Sequence, residues 1–190
     1  MNRASFAKTN KTVYLHPKSF KMKTIKYLAA IILFVAVNTV KAAPADLHSA
    51  INNVYKSYLG IKNALAADNS KAANDEAKKF TSALKDVPVS AMDAKQKAAW
   101  TKYAEKLRYD GDHIGESTAI DHQREHFGSL STNIYEVVKA FQTNDMVLYK
   151  QYCPMEKKSW LSESSAIKNP YLGKKMLDCG TTKETMHAGK

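Results

Sequence analysis

The sequence predicts a mainly α protein, an antiparallel four-helix bundle followed by a short β or irregular tail. Four apolar stripes at helical spacing, short polar breaks between them, and a change of period after residue 146 carry that prediction. In the first stripe Leu47, Ile51, Val54, Tyr58, Ile61 and Leu65 alternate spacings of four and three, with Asp46 as N-cap. After Asp68, Asn69 and Ser70 a second stripe follows at Ala73, Ala77, Phe80 and Leu84, and it stops before Pro88 because proline disfavours helix in the residue ahead of it. Its small residues imply a close neighbour. Ser90 and Asp93 have capping-box spacing and open a third helix with Trp100, Tyr103, Leu107 and Ile114 inward; Asp110-Gly111 and Gly115 are expected to weaken its end. Thr118 and Asp121 form a second such signal, ahead of a fourth stripe at Ile120, Phe127, Leu130, Ile134, Val137 and Phe141. The bundle thus covers residues 45–143.

The tail, 146–190, has another period. Met146 to Tyr152 alternates and is rich in strand formers, so a short strand is expected there, with a second extended segment at Ser159–Ser162. Asn169-Pro170-Tyr171-Leu172-Gly173 reads as a turn, followed by one helical turn over 174–177 or by a further strand pair.

Ahead of the bundle, Lys23 and Lys26 precede an apolar run from Tyr27 to Val37, and Val40-Lys41-Ala42 fits a small-x-small cleavage rule. Residues 1–42 are therefore read as a basic extension and secretory signal, with cleavage before Ala43 and a periplasmic or secreted mature chain. The run is about half the ~20 residues a spanning helix requires, so no stable membrane anchor is expected. Residues 1–21 imply an overlong n-region or a true start at Met22. Of the formal charge of +11, the first 42 residues hold eight basic side chains and no acid, which leaves +3 on the remainder. Without a concentrated basic face, nucleic acid is not the expected partner. No redox Cys-x-x-Cys, Gly-rich phosphate loop or nucleophile triad is recognisable, so the chain is read as a non-enzyme.

The tail motifs Tyr152-Cys153-Pro154-Met155, Trp160-Leu161-Ser162, Ile167-Lys168-Asn169-Pro170-Tyr171, Gly173, Met176-Leu177 and Cys179-Gly180 resemble those of the DUF3347 family of secreted bacterial proteins. So do Tyr58-Leu59, Ala64-Leu65-Ala66, Ile120, Gln123-Arg124, Phe127 and Leu130-Ser131 in the helical half. A Gly-containing insert found in some members between the Cys-Pro-Met and Trp-Leu-Ser motifs is missing. The family also occurs as an extra domain on periplasmic adaptors of heavy-metal efflux pumps, so the resemblance implies copper or silver handling with an adaptor or metal carrier as partner.

The residues carry their own argument. Cys153 and Met155 lie two apart around a proline that holds the chain extended, and Met176 and Cys179 lie three apart, one helical turn. Two thiolates with two thioethers make a soft site that selects Cu(I) or Ag(I) over harder divalent ions. The alternative is a disulfide between Cys153 and Cys179, which on the chain-entropy model contributes about 3.5 kcal/mol and leaves both methionines as packing. Both readings stand at this point. His122 and His126, four apart on the fourth helix with His113 ahead of them, are a further metal candidate, although a solvated helix face is the usual fate of such a pair. Asp110-Gly111-Asp112 does not fit a calcium loop, because Ile114 stands at the next ligand position.

Overall fold

Each expected stripe becomes a helix in the computed structural model, which describes residues 46–189. The expected signal segment and its cleavage position before Ala43 lie outside these residues. The helices are α1 (Leu47–Ala66), α2 (Ser70–Lys85), α3 (Ala94–Glu116) and α4 (Ile120–Phe141). Consecutive helices pack side by side, and the gap between α1 and α4 is covered by a three-stranded antiparallel sheet. Its strands are β1 (Leu148–Cys153), β2 (Lys158–Ser162) and β3 (Thr181–Met186), in the order β2-β1-β3. The pairings run from Tyr149 opposite Ser162 to Cys153 opposite Lys158 on one side of β1, and from Leu148 opposite Met186 to Tyr152 opposite Thr181 on the other, with a register shift between Lys150 and Gln151.

The helix ends depart from the expected caps. Asp46 occupies the N-cap of α1 without a side-chain bond, so it contributes position and charge only. Ser90 does not cap α3. It lies in a short 3-10 turn, Val89–Ala91, and Asp93 takes the role: its carboxylate accepts from Gln96 N at 2.8 Å while Gln96 Oε1 accepts from Asp93 N at 3.0 Å. An acid with a glutamine three residues on satisfies both orphan donors reciprocally. The Thr118 box is also absent, since Ala119 is the N-cap of α4 and Ser117 Oγ accepts from Ala119 N at 3.1 Å. Nor do the glycines end α3 early. A Cβ on Gly111 would stand 2.7 Å from Thr81 Cγ2 and 2.9 Å from Phe80 Cδ1, so the missing side chain lets α3 approach α2 closely.

The tail is part of the core rather than an appendage to it. Leu148, Cys153, Trp160, Leu161 and Tyr171 are buried in one apolar cluster with Ile51, Tyr58, Phe127, Leu130 and Ile134. Phe127 stacks on Tyr58 with centroids 5.3 Å apart and meets Tyr171 at 5.7 Å; Trp160 meets Tyr171 edge-on at 6.0 Å. Tyr58 carries the polar link, its Oη bonded to Ser131 Oγ at 2.8 Å and accepting from the backbone of Leu161 at 3.0 Å. Burial holds that phenol far above its ordinary pKa, so it remains a neutral donor and acceptor. Trp100 is buried as its stripe predicts, edge-on to Phe141.

Candidate metal-binding sites

β1 ends in the first cysteine. Cys153 is fully buried, and the four-residue connection 154–157 returns the chain to Lys158 through Lys157, whose φ is 53°. Within that turn Glu156 N donates to Cys153 Sγ at 3.5 Å. The second cysteine arrives from the other end of the tail, half-buried, immediately before β3. Its approach depends on Gly180, where a Cβ would stand 2.9 Å from the Trp160 ring and 3.2 Å from Tyr152 O.

Buried Asn169 orders the chain between the two. Its Oδ1 accepts from Tyr171 N and Leu172 N at 2.8 and 3.1 Å, its Nδ2 donates to Cys179 O at 2.6 Å, and its own N donates to Leu177 O at 2.7 Å. Arg124 of α4 then ties this segment to the bundle, donating to Pro170 O, to Leu65 O and to Asp68 Oδ1. Asp68 in turn accepts from Lys174 N at 3.0 Å. That backbone bond first, and the Arg124 guanidinium second, hold its carboxyl below the ordinary range. Gly173 sits against this pair at φ 56°, a left-handed conformation in a space that leaves no room for a side chain. Sequence reading placed the turn here but not its clamp, because Asp68 and Lys174 are 106 positions apart.

The outcome is a thiol pair, with Cys153 Sγ 3.7 Å from Cys179 Sγ. Both cysteines are free. The Cys179 thiol is pushed above its ordinary pKa, by desolvation first and then by the hydrogen bond and charge of Cys153. The methionines of the same two turns point outward: Met155 is 60% and Met176 37% exposed. Five large apolar side chains are left exposed among the described residues, and Met155, Met176 and Leu177 of these two turns are three of them. They are not the core filler of the disulfide alternative. Two sulfurs on one metal with arms of ~2.3 Å stand about 3.8 Å apart at the tetrahedral angle, close to the separation found here.

The histidines form a second cluster. His122 and His126 share one face of α4, and α3 brings His113 to the same place, because the two helices are joined by only three residues. All three are half-buried, and one ligand nitrogen from each lies within 4.8 Å of the other two. This differs from the solvated face expected of a histidine pair. Asp110, one turn before His113 and buried, accepts from His126 Nδ1 at 3.0 Å. Gln123 locks the hairpin itself: fully buried, it donates to the carbonyls of Ser70, Ile114 and Ser117. Helical spacing alone pairs His122 with His126, and the closure of the hairpin brings in His113, which precedes them across the loop.

Fold and sites define a small helical bundle closed by a C-terminal sheet, with one sulfur and one imidazole cluster. Residues 54–146 match the family model described as "Protein of unknown function (DUF3347)", and the chain belongs to that family. The matched stretch covers the helices from Val54 onward and ends before β1, so both cysteines lie beyond it. No curated protein and no solved structure matches the chain. Among the described residues no helix is long and apolar enough to cross a membrane.

Proposed function

We propose that this protein is an extracytoplasmic binding module for Cu(I) or Ag(I), in which Cys153, Met155, Met176 and Cys179 take up the ion for delivery to a periplasmic adaptor or another metal carrier. The observation that carries the reading is the 3.7 Å thiol pair at the base of two turns whose methionines are left in solvent. Exposed thioethers gain little from burial, and as ligands they prefer a soft monovalent ion. Desolvation disfavours the free Cys179 thiolate, and a bound cation would compensate that penalty. The remaining contacts serve position: Asn169, Gly180 and Arg124 set the distance between the turns. The secretory signal supports the compartment, and the resemblance to domains of metal-efflux adaptors supports the partner.

The disulfide reading retains one observation of its own, since small side-chain rotations would carry sulfurs at 3.7 Å to bonding distance. One experiment separates the two. Protein isolated from its own periplasm is assayed for bound metal and for free thiol. Bound copper or silver with two titratable thiols is expected after the metal is stripped. Metal-free protein without a titratable thiol, and with no Cu(I) uptake after reduction against a competing chelator, would replace the proposal with a disulfide-stapled interaction module.

A further inference from the structure

We propose that His113, His122 and His126 form a second, independent metal site, specific for a borderline divalent ion of the zinc or Cu(II) class. The proposal does not rest on the sulfur site. Three neutral imidazoles are the ligand type such ions favour, whereas Cu(I) and Ag(I) are drawn to the sulfurs. The nitrogens already lie within 4.8 Å of one another, so small side-chain rotations suffice to converge them on one ion. Their rings are packed together, with His113 stacked on His126 at 4.4 Å and His122 edge-on to His126 at 4.7 Å.

The surroundings match a ligand set better than a core. Buried Asp110 accepts a hydrogen bond from His126 Nδ1–H, which leaves the lone pair on Nε2 and fixes the ring, the outer-shell arrangement that zinc-ligating histidines commonly have. Tyr109 is 55% exposed, yet its ring lies 4.3 Å from that of His113 and 5.7 Å from that of His126, so it shields one flank of the cluster. The scaffold is two helices held by Gln123, which places the ligands before any ion arrives. Because all three histidines are only half-buried, a fourth position is open to water or an exogenous ligand.

Zinc added to the chain carrying Cys153→Ser and Cys179→Ser tests this site with the sulfur site removed. Calorimetry should show one equivalent bound. His113→Gln or His126→Gln should weaken binding at least tenfold, and Asp110→Asn by roughly 10–100-fold, with unchanged helical circular dichroism. In case the double cysteine variant does not fold, the imidazole signals of the wild-type chain provide a second readout: zinc should shift those of His113, His122 and His126 and leave His48 and His187 in place. Zinc affinity that survives the combined His113→Gln, His122→Gln and His126→Gln changes, or ring signals that do not move, would overturn the site. Loss of Cu(I) binding would leave it untouched, so the two proposals fail separately.

Discussion

The α3–α4 hairpin and the C-terminal sheet both gather side chains of metal-ligating type, but by opposite means. On the hairpin, helical period and a three-residue loop bring three histidines together, and Gln123 and the Asp110–His126 bond lock the two helices. At the sheet, two turns 26 positions apart are brought together by individual polar contacts: Asn169 on the Cys179 carbonyl, Gly180 beneath Trp160, and Arg124 on Pro170. A repeated period tolerates the loss of any one contact, whereas a chain of specific hydrogen bonds does not. Mutations at the sheet should therefore disturb its site more than equivalent mutations disturb the hairpin.

The strongest way to break this contrast is through the shared core. Trp160→Ala and Phe127→Ala should each lower stability by about 3–5 kcal/mol, because both side chains are fully buried in one cluster. Both should show a single thermal transition. Two transitions for Trp160→Ala, or an unchanged melting temperature, would make the sheet a separate unit.

Asn169→Ala should remove a smaller amount, on the order of 2–3 kcal/mol, since it leaves the Tyr171 and Leu172 amides and the Cys179 carbonyl without their partner. This variant sharpens the contrast. Its Cu(I) affinity should fall while zinc binding at the histidines is retained, as measured by chelator competition and calorimetry.

Acid provides the next step. Asp68 has a folded pKa below its unfolded value of about 3.9, so its contribution is complete above that value and is lost as pH falls through the folded pKa. The melting temperature of the wild type should therefore drop below pH ~4, and that drop should be shallower in Asp68→Asn, which is already weakened at neutral pH. Parallel acid profiles for the two proteins would show that the clamp on Lys174 and Arg124 does not stabilise the tail.

The smallest effect on stability belongs to Met155→Leu, within about 0.5 kcal/mol for so exposed a side chain. Its effect on Cu(I) affinity should be clear nonetheless, because leucine keeps the apolar volume and lacks the sulfur. An affinity equal to the wild type would remove Met155 from the ligand set.

The amino-acid pattern by itself determined the four helices, the change to strands after residue 146, and the pairing of the two sulfur motifs as one question. These follow from local rules, since burial on one face imposes a period that can be read within a window of a dozen residues. Local rules also misplaced the caps at Ser90 and Thr118: Asp93 with Gln96 closes the box that opens α3, and α4 starts after Ala119 without a side-chain cap. Only the tertiary structure decided that Gly111 admits a neighbouring helix, that β3 forms on the far edge of β1, and that Trp160 and Tyr171 complete the bundle core. It also decided that His113 joins His122 and His126 while Cys179 meets Cys153. Such meetings depend on how helices and strands close on one another, and the free energy that selects them comes from surfaces buried between residues far apart in the chain.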